Sequence, residues 1–351
     1  MTNIPLDILL ALVVLLCLLF ALFVWVRQRQ RRKTTAVLPT AAPPSTVQRL
    51  TLYVLKLSGF AIISFLIIAF LMTMYLNVRT VIEETAPAPS VVEMPADLAF
   101  PVEEITFTSG DGLTLAGWFV PPQNGAVIIL LHGYGGNRTG NIWYAEQLYE
   151  AGYGLLLYDQ RASGESEGDH RSYGWEDPAD VGAAMAYIHG RADSQDAAIG
   201  IAGCSTGGQI AVQSAAQYPG ITAVWADGAS SVRADDIPPS GHPLIFLFRA
   251  SNYLLDWMFA QKLDIEAPPP LISQIGQIEP RPVMLVAGGR PHPLYGSESL
   301  IVNRYATYAG EGTAVWVIEE AFHCDGPAHR PEEYAERMVD FFDAAFADAA
   351  K

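Results

Sequence analysis

Ser205 lies in Gly203-Cys204-Ser205-Thr206-Gly207, between an apolar run at residues 198–202 and a helix-prone run at 209–216. A serine hydroxyl is a poor nucleophile near neutral pH and has to be presented to a base. A strand that bends sharply into a helix presents it well, because the hydroxyl then projects from the bend. Glycine two positions to either side removes side chains that would collide there. The pattern predicts a nucleophile at Ser205; Cys204 is off-centre between the glycines and is not expected to take that part. Histidine is the most frequent partner base. Of the chain's seven histidines, His323 stands out, in Ala321-Phe322-His323-Cys324-Asp325-Gly326 between an apolar run at 314–318 and a closing helix-prone segment at 331–346. His329 is its nearest rival and falls at the start of that helix.

The elements needed to hold these residues follow from hydrophobic patterning. Residues 102–109 and 113–120 flank Gly110-Asp111-Gly112, a hairpin signal with Asp-Gly in the turn. Continuous apolar runs at 126–131, 153–158, 198–202, 221–226, 283–287 and 314–318 read as strands buried on both faces. Helix-like segments alternate with them near 139–151, 178–191, 208–218, 297–309 and 331–346. Such alternation predicts an α/β fold, a mostly parallel eight-stranded sheet with helices on both faces and antiparallel strands at one edge.

Four segments, in order, resemble the α/β-hydrolase superfamily over residues 102–346. His132-Gly133-Tyr134-Gly135-Gly136 is similar to its H-G-x-G loop. The resemblance implies that the amides of Tyr134 and Thr206 form an oxyanion hole, with His132 shaping the loop. Asp159-Gln160-Arg161-Ala162-Ser163-Gly164-Glu165-Ser166 resembles the segment D-x-R-G-x-G-x-S, with Ala162 where glycine is usual. Its implied role is structural, Arg161 pairing with carboxylates to pin the loop. The elbow at Ser205 is third, and His323, on the loop after the last strand, is fourth. The acid departs from the pattern. The loop Gly288-Gly289-Arg290-Pro291-His292-Pro293-Leu294-Tyr295-Gly296-Ser297-Glu298 contains no aspartate, and Glu298 is its only carboxylate. Glu298 could orient His323 or merely begin a helix; Asp227, directly after the run at 221–226, is the alternative acid, or a turn residue in Asp227-Gly228.

The chain of 351 residues carries a net charge of −16. Residues 6–26 and 57–76 are apolar runs long enough to cross a bilayer as helices. No basic residue precedes the first run, as a signal peptide would require, so a retained anchor is expected. Arg27, Arg29, Arg31, Arg32, Lys33, Arg49 and Lys56 place the intervening loop in the cytoplasm and both ends outside. Residues 1–82 are thus expected to form two transmembrane helices, 83–101 a Pro/Ala-rich tether and 102–351 an extracytoplasmic hydrolase domain. Residues 101–351 carry 13 Lys and Arg against 32 Asp and Glu, which argues against nucleic-acid binding. Cys17 lies inside the first apolar run, so no disulfide framework is indicated, and Cys204 and Cys324 read as small buried residues near the site. No metal or cofactor motif is present. Residues 228–280 are apolar and aromatic, fit either for a lid lining an acyl pocket or for a core helix.

The expected protein is a multi-pass serine hydrolase of the cell membrane acting on a small-molecule or lipid ester, with thioester or amide cleavage open. An acyltransferase with the same nucleophile and a non-catalytic scaffold are the rival readings.

Overall fold

The computed structural model describes residues 45–239, 243–291 and 298–349. The first expected membrane run lies outside them. The second falls within α1 (Thr46–Thr85), a helix of 40 residues that is long and apolar enough to cross a membrane. α1 exceeds the apolar run at both ends for local reasons. Ser45 and Gln48 exchange side-chain-to-backbone hydrogen bonds of 3.3 and 2.9 Å, a capping box that starts the helix within the expected intervening loop. Arg79 and Glu83 pair across one turn near its end. The chain divides into two compact units, the second being Asn77–Lys351, so the last turns of α1 belong with that second unit.

That second unit is built on an eight-stranded sheet: β1 (Glu103–Thr108), β2 (Thr114–Val120), β3 (Ala126–Leu131), β4 (Gly154–Tyr158), β5 (Ala198–Cys204), β6 (Ile221–Asp227), β7 (Val283–Gly288) and β8 (Thr313–Ile318). The spatial order is β1-β2-β4-β3-β5-β6-β7-β8. β1–β2 and β2–β4 are antiparallel, and the remaining neighbours are parallel. Side chains alternate between faces, and both faces are covered, which is why the strands read as unbroken apolar runs. In β3, Val127, Ile129 and Leu131 join a core with Val181 and Ile188 of α3 (Asp177–Gly190) and Ile210 and Val212 of α4 (Thr206–Gln217). Ala126, Ile128 and Leu130 face the other way, toward Leu148 of α2 (Ile142–Glu150). With them lie Tyr334, Met338 and Phe342 of the closing helix (Pro331–Ala349).

Residues 83–101 are not the free tether that their composition suggests. Ala88–Pro89 pairs in parallel with Ser163–Gly164, and Ala88 N donates to Ala162 O at 2.7 Å. Val92 and Phe100 are buried. Extended Pro-containing backbone has N–H and C=O groups to satisfy, and the loop after β4 offers an edge that takes them. The segment at 228–280 contains α5 (Pro243–Leu263). It is divided between the two expected roles: Phe259 and Leu263 are buried in the core, while Phe246, Tyr253 and Trp257 are exposed.

Candidate active site

β5 is central in the sheet, and its end carries Ser205 into α4. Ser205 has φ 57° and ψ −121°, a left-handed conformation unusual for a residue with a side chain. It is held by Ser205 N donating to Asp227 O at 2.8 Å and Gln209 N donating to Ser205 O at 3.1 Å. The flanking glycines are required by space. A Cβ on Gly203 would overlap the Gly207 carbonyl, and one on Gly207 would overlap the Leu131 carbonyl. Ser205 therefore stands at the crossing of β3, β5 and α4 with no room for the backbone to relax.

His323 reaches this point from the loop after β8. Its Nε2 is 2.8 Å from Ser205 Oγ, and its Nδ1 is hydrogen-bonded to Glu298 Oε1. Glu298 is the residue before α6 (Ser299–Ala306), so it does begin a helix, yet its side chain makes no capping bond. The carboxylate turns back instead, accepting from Gly288 N at 2.8 Å through Oε2. Gly228 makes room for this pair: it has φ 57°, and a Cβ there would stand 2.7 Å from Glu298 Oε1 and 3.0 Å from the His323 ring. The hydrogen bond that His323 Nδ1–H donates to Glu298 raises the His323 pKa above the ordinary histidine value, against the opposing effect of burial.

Asp227 is placed elsewhere. Its Oδ2 accepts from Tyr334 OH at 2.8 Å and Tyr144 OH at 3.3 Å, on the side of the sheet covered by α2 and the closing helix. Burial pushes its carboxyl up to about 6, with Tyr334 opposing. Of the two sequence candidates for the acid, the structure thus brings Glu298 to His323 and commits the Asp227 side chain to two tyrosines.

Tyr134 follows β3, and Gly133 beside it packs against the elbow: a Cβ there would lie 3.5 Å from Ser205 Cβ. Among the described residues, neither the Tyr134 nor the Thr206 amide donates a backbone hydrogen bond outside regular elements. Thr206 opens α4, where first-turn N–H groups have no intrahelical partner. His132 is engaged by backbone at both ring nitrogens. Nε2 accepts from Gln160 N at 3.0 Å, and Nδ1 is 2.8 Å from Gly133 O, the arrangement of a neutral Nδ1–H tautomer. Burial lowers its pKa and keeps that ring neutral. The loop after β4 is pinned by two buried arginines. Arg161 makes a two-pronged bond to Asp180 at 2.8 and 2.7 Å, and Asp159 accepts from Arg138 through both backbone and side chain. Ala162 occupies φ 55°, the geometry for which glycine is the usual choice. An aromatic row leads away from Tyr134, with Tyr173 5.8 Å from it and Phe259 of α5 stacked on Tyr173 at 6.1 Å.

The cysteine expectation requires correction. Cys204 and Cys324 are joined as a disulfide with Cα atoms 6.1 Å apart. They read as separate small residues because 120 positions divide them in sequence. The signal was their placement, one immediately before Ser205 and the other immediately after His323. Among the described residues, no cluster of His, Cys, Asp and Glu fit to hold a metal ion occurs.

Sheet order, elbow and loop positions together define the alpha/beta hydrolase fold, and the family description of that name matches residues 126–278. Among known proteins, the chain is 29% identical over 269 residues to the uncharacterized protein YfhR of Salmonella typhimurium, covering 70% of this chain and 82% of that one. The Pyrococcus furiosus esterase Pf2001 superposes with TM-score 0.59 at 21% identity, covering 74% of this chain and 99% of the esterase. A dienelactone hydrolase from Anabaena variabilis gives TM-score 0.52 at 18% identity, over 70% and 98% of the two chains. These likenesses establish the fold.

Proposed function

We propose that the protein is a serine hydrolase that cleaves a carboxylic ester through an acyl-enzyme. The observation that carries this reading is the continuous contact from Ser205 Oγ through the His323 ring to the Glu298 carboxylate. Ser205 Oγ attacks the ester carbonyl while His323 Nε2 takes its proton. Glu298 holds the Nδ1–H tautomer and stabilises the imidazolium. The amides of Tyr134 and Thr206 receive the oxyanion. Collapse expels the alcohol, protonated by His323, and leaves the acyl group on Ser205. Water deprotonated by the same ring then releases the acid. The His323 side chain is 52% exposed, which favours water over a sheltered acceptor and so hydrolysis over acyl transfer. The esterase and dienelactone hydrolase among the structural neighbours agree with an ester substrate.

We further propose that α1 anchors the enzyme, with the run at 6–26 as a second span and the hydrolase domain outside the cytoplasm. The basic residues between the two runs favour that orientation, and a disulfide is the chemistry of an oxidising compartment. The function is tested by labelling with a fluorophosphonate and by release of p-nitrophenol from short-chain esters. Both are expected in the native chain and absent in Ser205→Ala. A folded native protein that neither labels nor turns over refutes the proposal.

A further inference from the structure

We infer that the Cys204–Cys324 disulfide is the positioning device that keeps the proposed base against the proposed nucleophile, so that turnover requires the bond to be intact; this rests on the roles given above to Ser205 and His323. Cys204 immediately precedes Ser205, and Cys324 immediately follows His323. A single covalent bridge therefore joins the two loops at the positions next to both reacting side chains.

The two loops depend on it unequally. Ser205 is already fixed by the start of α4, by its bond to Asp227 O and by glycines that leave the backbone no space. The His323 loop has far less. Ala321 and Asp325 are tied to the fold by main-chain hydrogen bonds. Among the described residues, the main-chain groups of Phe322, His323 and Cys324 make no hydrogen bond to other main-chain groups outside regular elements, and Cys324 Sγ lies 3.7 Å from Asp227 O. The Phe322 carbonyl packs closely on Gly288 and Arg290 lies over the Phe322 ring at 5.0 Å, but Phe322 is exposed, as is half of the His323 side chain, so packing restrains this loop on one side only. Cys324 itself takes φ 55°, a conformation that a non-glycine residue keeps only when its surroundings impose it. Glu298 orients the ring once it has arrived but does not tie down the main chain that carries it. The disulfide supplies that tie. Displacement of a reacting group by about 1 Å is enough to lower turnover by about 100-fold.

Both cysteines are partly exposed, so a small dithiol can reach them. Its thiolate attacks one sulfur, and its second thiol closes the reagent into its own disulfide. Two electrons and two protons pass to the protein, leaving two cysteine thiols.

The test uses the full chain in detergent, with dithiothreitol as reductant and p-nitrophenyl ester as substrate at 25 °C. Thiol titration of the denatured chain is expected to find only Cys17 before reduction and all three cysteines after it. Reduction is expected to lower kcat by about 10–100-fold. KM stays within about twofold, as for loss of a group acting only in the transition state. Fluorophosphonate labelling of Ser205 slows in step, the far-UV circular dichroism is unchanged, and reoxidation restores the rate. The rising limb of the pH profile moves down toward ordinary histidine values as Glu298 and His323 separate. A Cys204→Ala/Cys324→Ala double variant behaves like the reduced enzyme and ignores the reductant. Full kcat in the reduced chain overturns the inference, as does finding three free thiols in the untreated protein. Loss of the folded signal on reduction also overturns it, since the bond would then serve stability alone. An untreated protein that neither labels nor hydrolyses overturns the hydrolase reading itself, which separates the two failures.

Discussion

Glu298 and Asp227 lie on either side of Gly228, and only their partners distinguish them. Glu298 meets the His323 ring; Asp227 accepts from Tyr334 and Tyr144. Glu298→Gln is therefore expected to lower kcat by about 10³–10⁴-fold, the effect of losing the group that fixes the tautomer of a catalytic histidine. Asp227→Asn is expected to change it by less than about tenfold, since an amide oxygen still accepts from the tyrosines. The pH dependence makes the same distinction. His323 acts as a base only when neutral, and its bond to Glu298 raises its pKa. The native kcat/KM should therefore rise with pH through a midpoint above the ordinary histidine value, and Glu298→Gln should move that midpoint down. An unmoved limb would remove Glu298 from the site. Ser205 and His323 were legible in sequence because each is announced by its own neighbours. The carboxylate that meets His323 was legible only as a choice of two, because a long loop hides which one folds back. The part played by Gly228 was not legible, and the cystine showed only in the placement of its two halves beside Ser205 and His323: each matters through what it touches across the chain.

At the scale of elements, the strands were readable because a sheet covered on both faces leaves unbroken apolar runs, and their order places Ser205 at the centre. α1 was less readable. Apolarity marks a membrane-compatible segment, whereas helix ends are set by polar signals such as the Ser45–Gln48 capping box. The junction of β5 with α4 is the least tolerant part. Gly207→Ala drives a methyl into the Leu131 carbonyl, and neither strand nor helix can yield without moving Ser205. Destabilisation of about 2–4 kcal/mol is expected, with activity lost even below the new melting temperature. Thermal denaturation and a residual-activity assay at low temperature check the two parts separately; a melting temperature within a degree of the native one would show that the elbow is looser than described.

For the whole molecule, the disulfide closes a chain segment with a separation of 120 residues. Loop-closure entropy alone assigns such a crosslink about 5 kcal/mol of stability. Reduction should thus lower the melting temperature by about 10 °C for a domain of this size while leaving it folded at 25 °C. Disulfides persist chiefly in oxidising compartments, which agrees with the extracytoplasmic placement proposed for the domain. The topology proposed from the basic residues between the apolar runs puts the domain on that side. A C-terminal alkaline phosphatase fusion in a bacterial host is expected to be active and a green fluorescent protein fusion dark. Thiol alkylation of intact cells should leave Cys204 and Cys324 unmodified. A fluorescent fusion with both cysteines alkylated would place the domain in the cytoplasm, where the bridge would not form, and would leave the His323 loop without its tie.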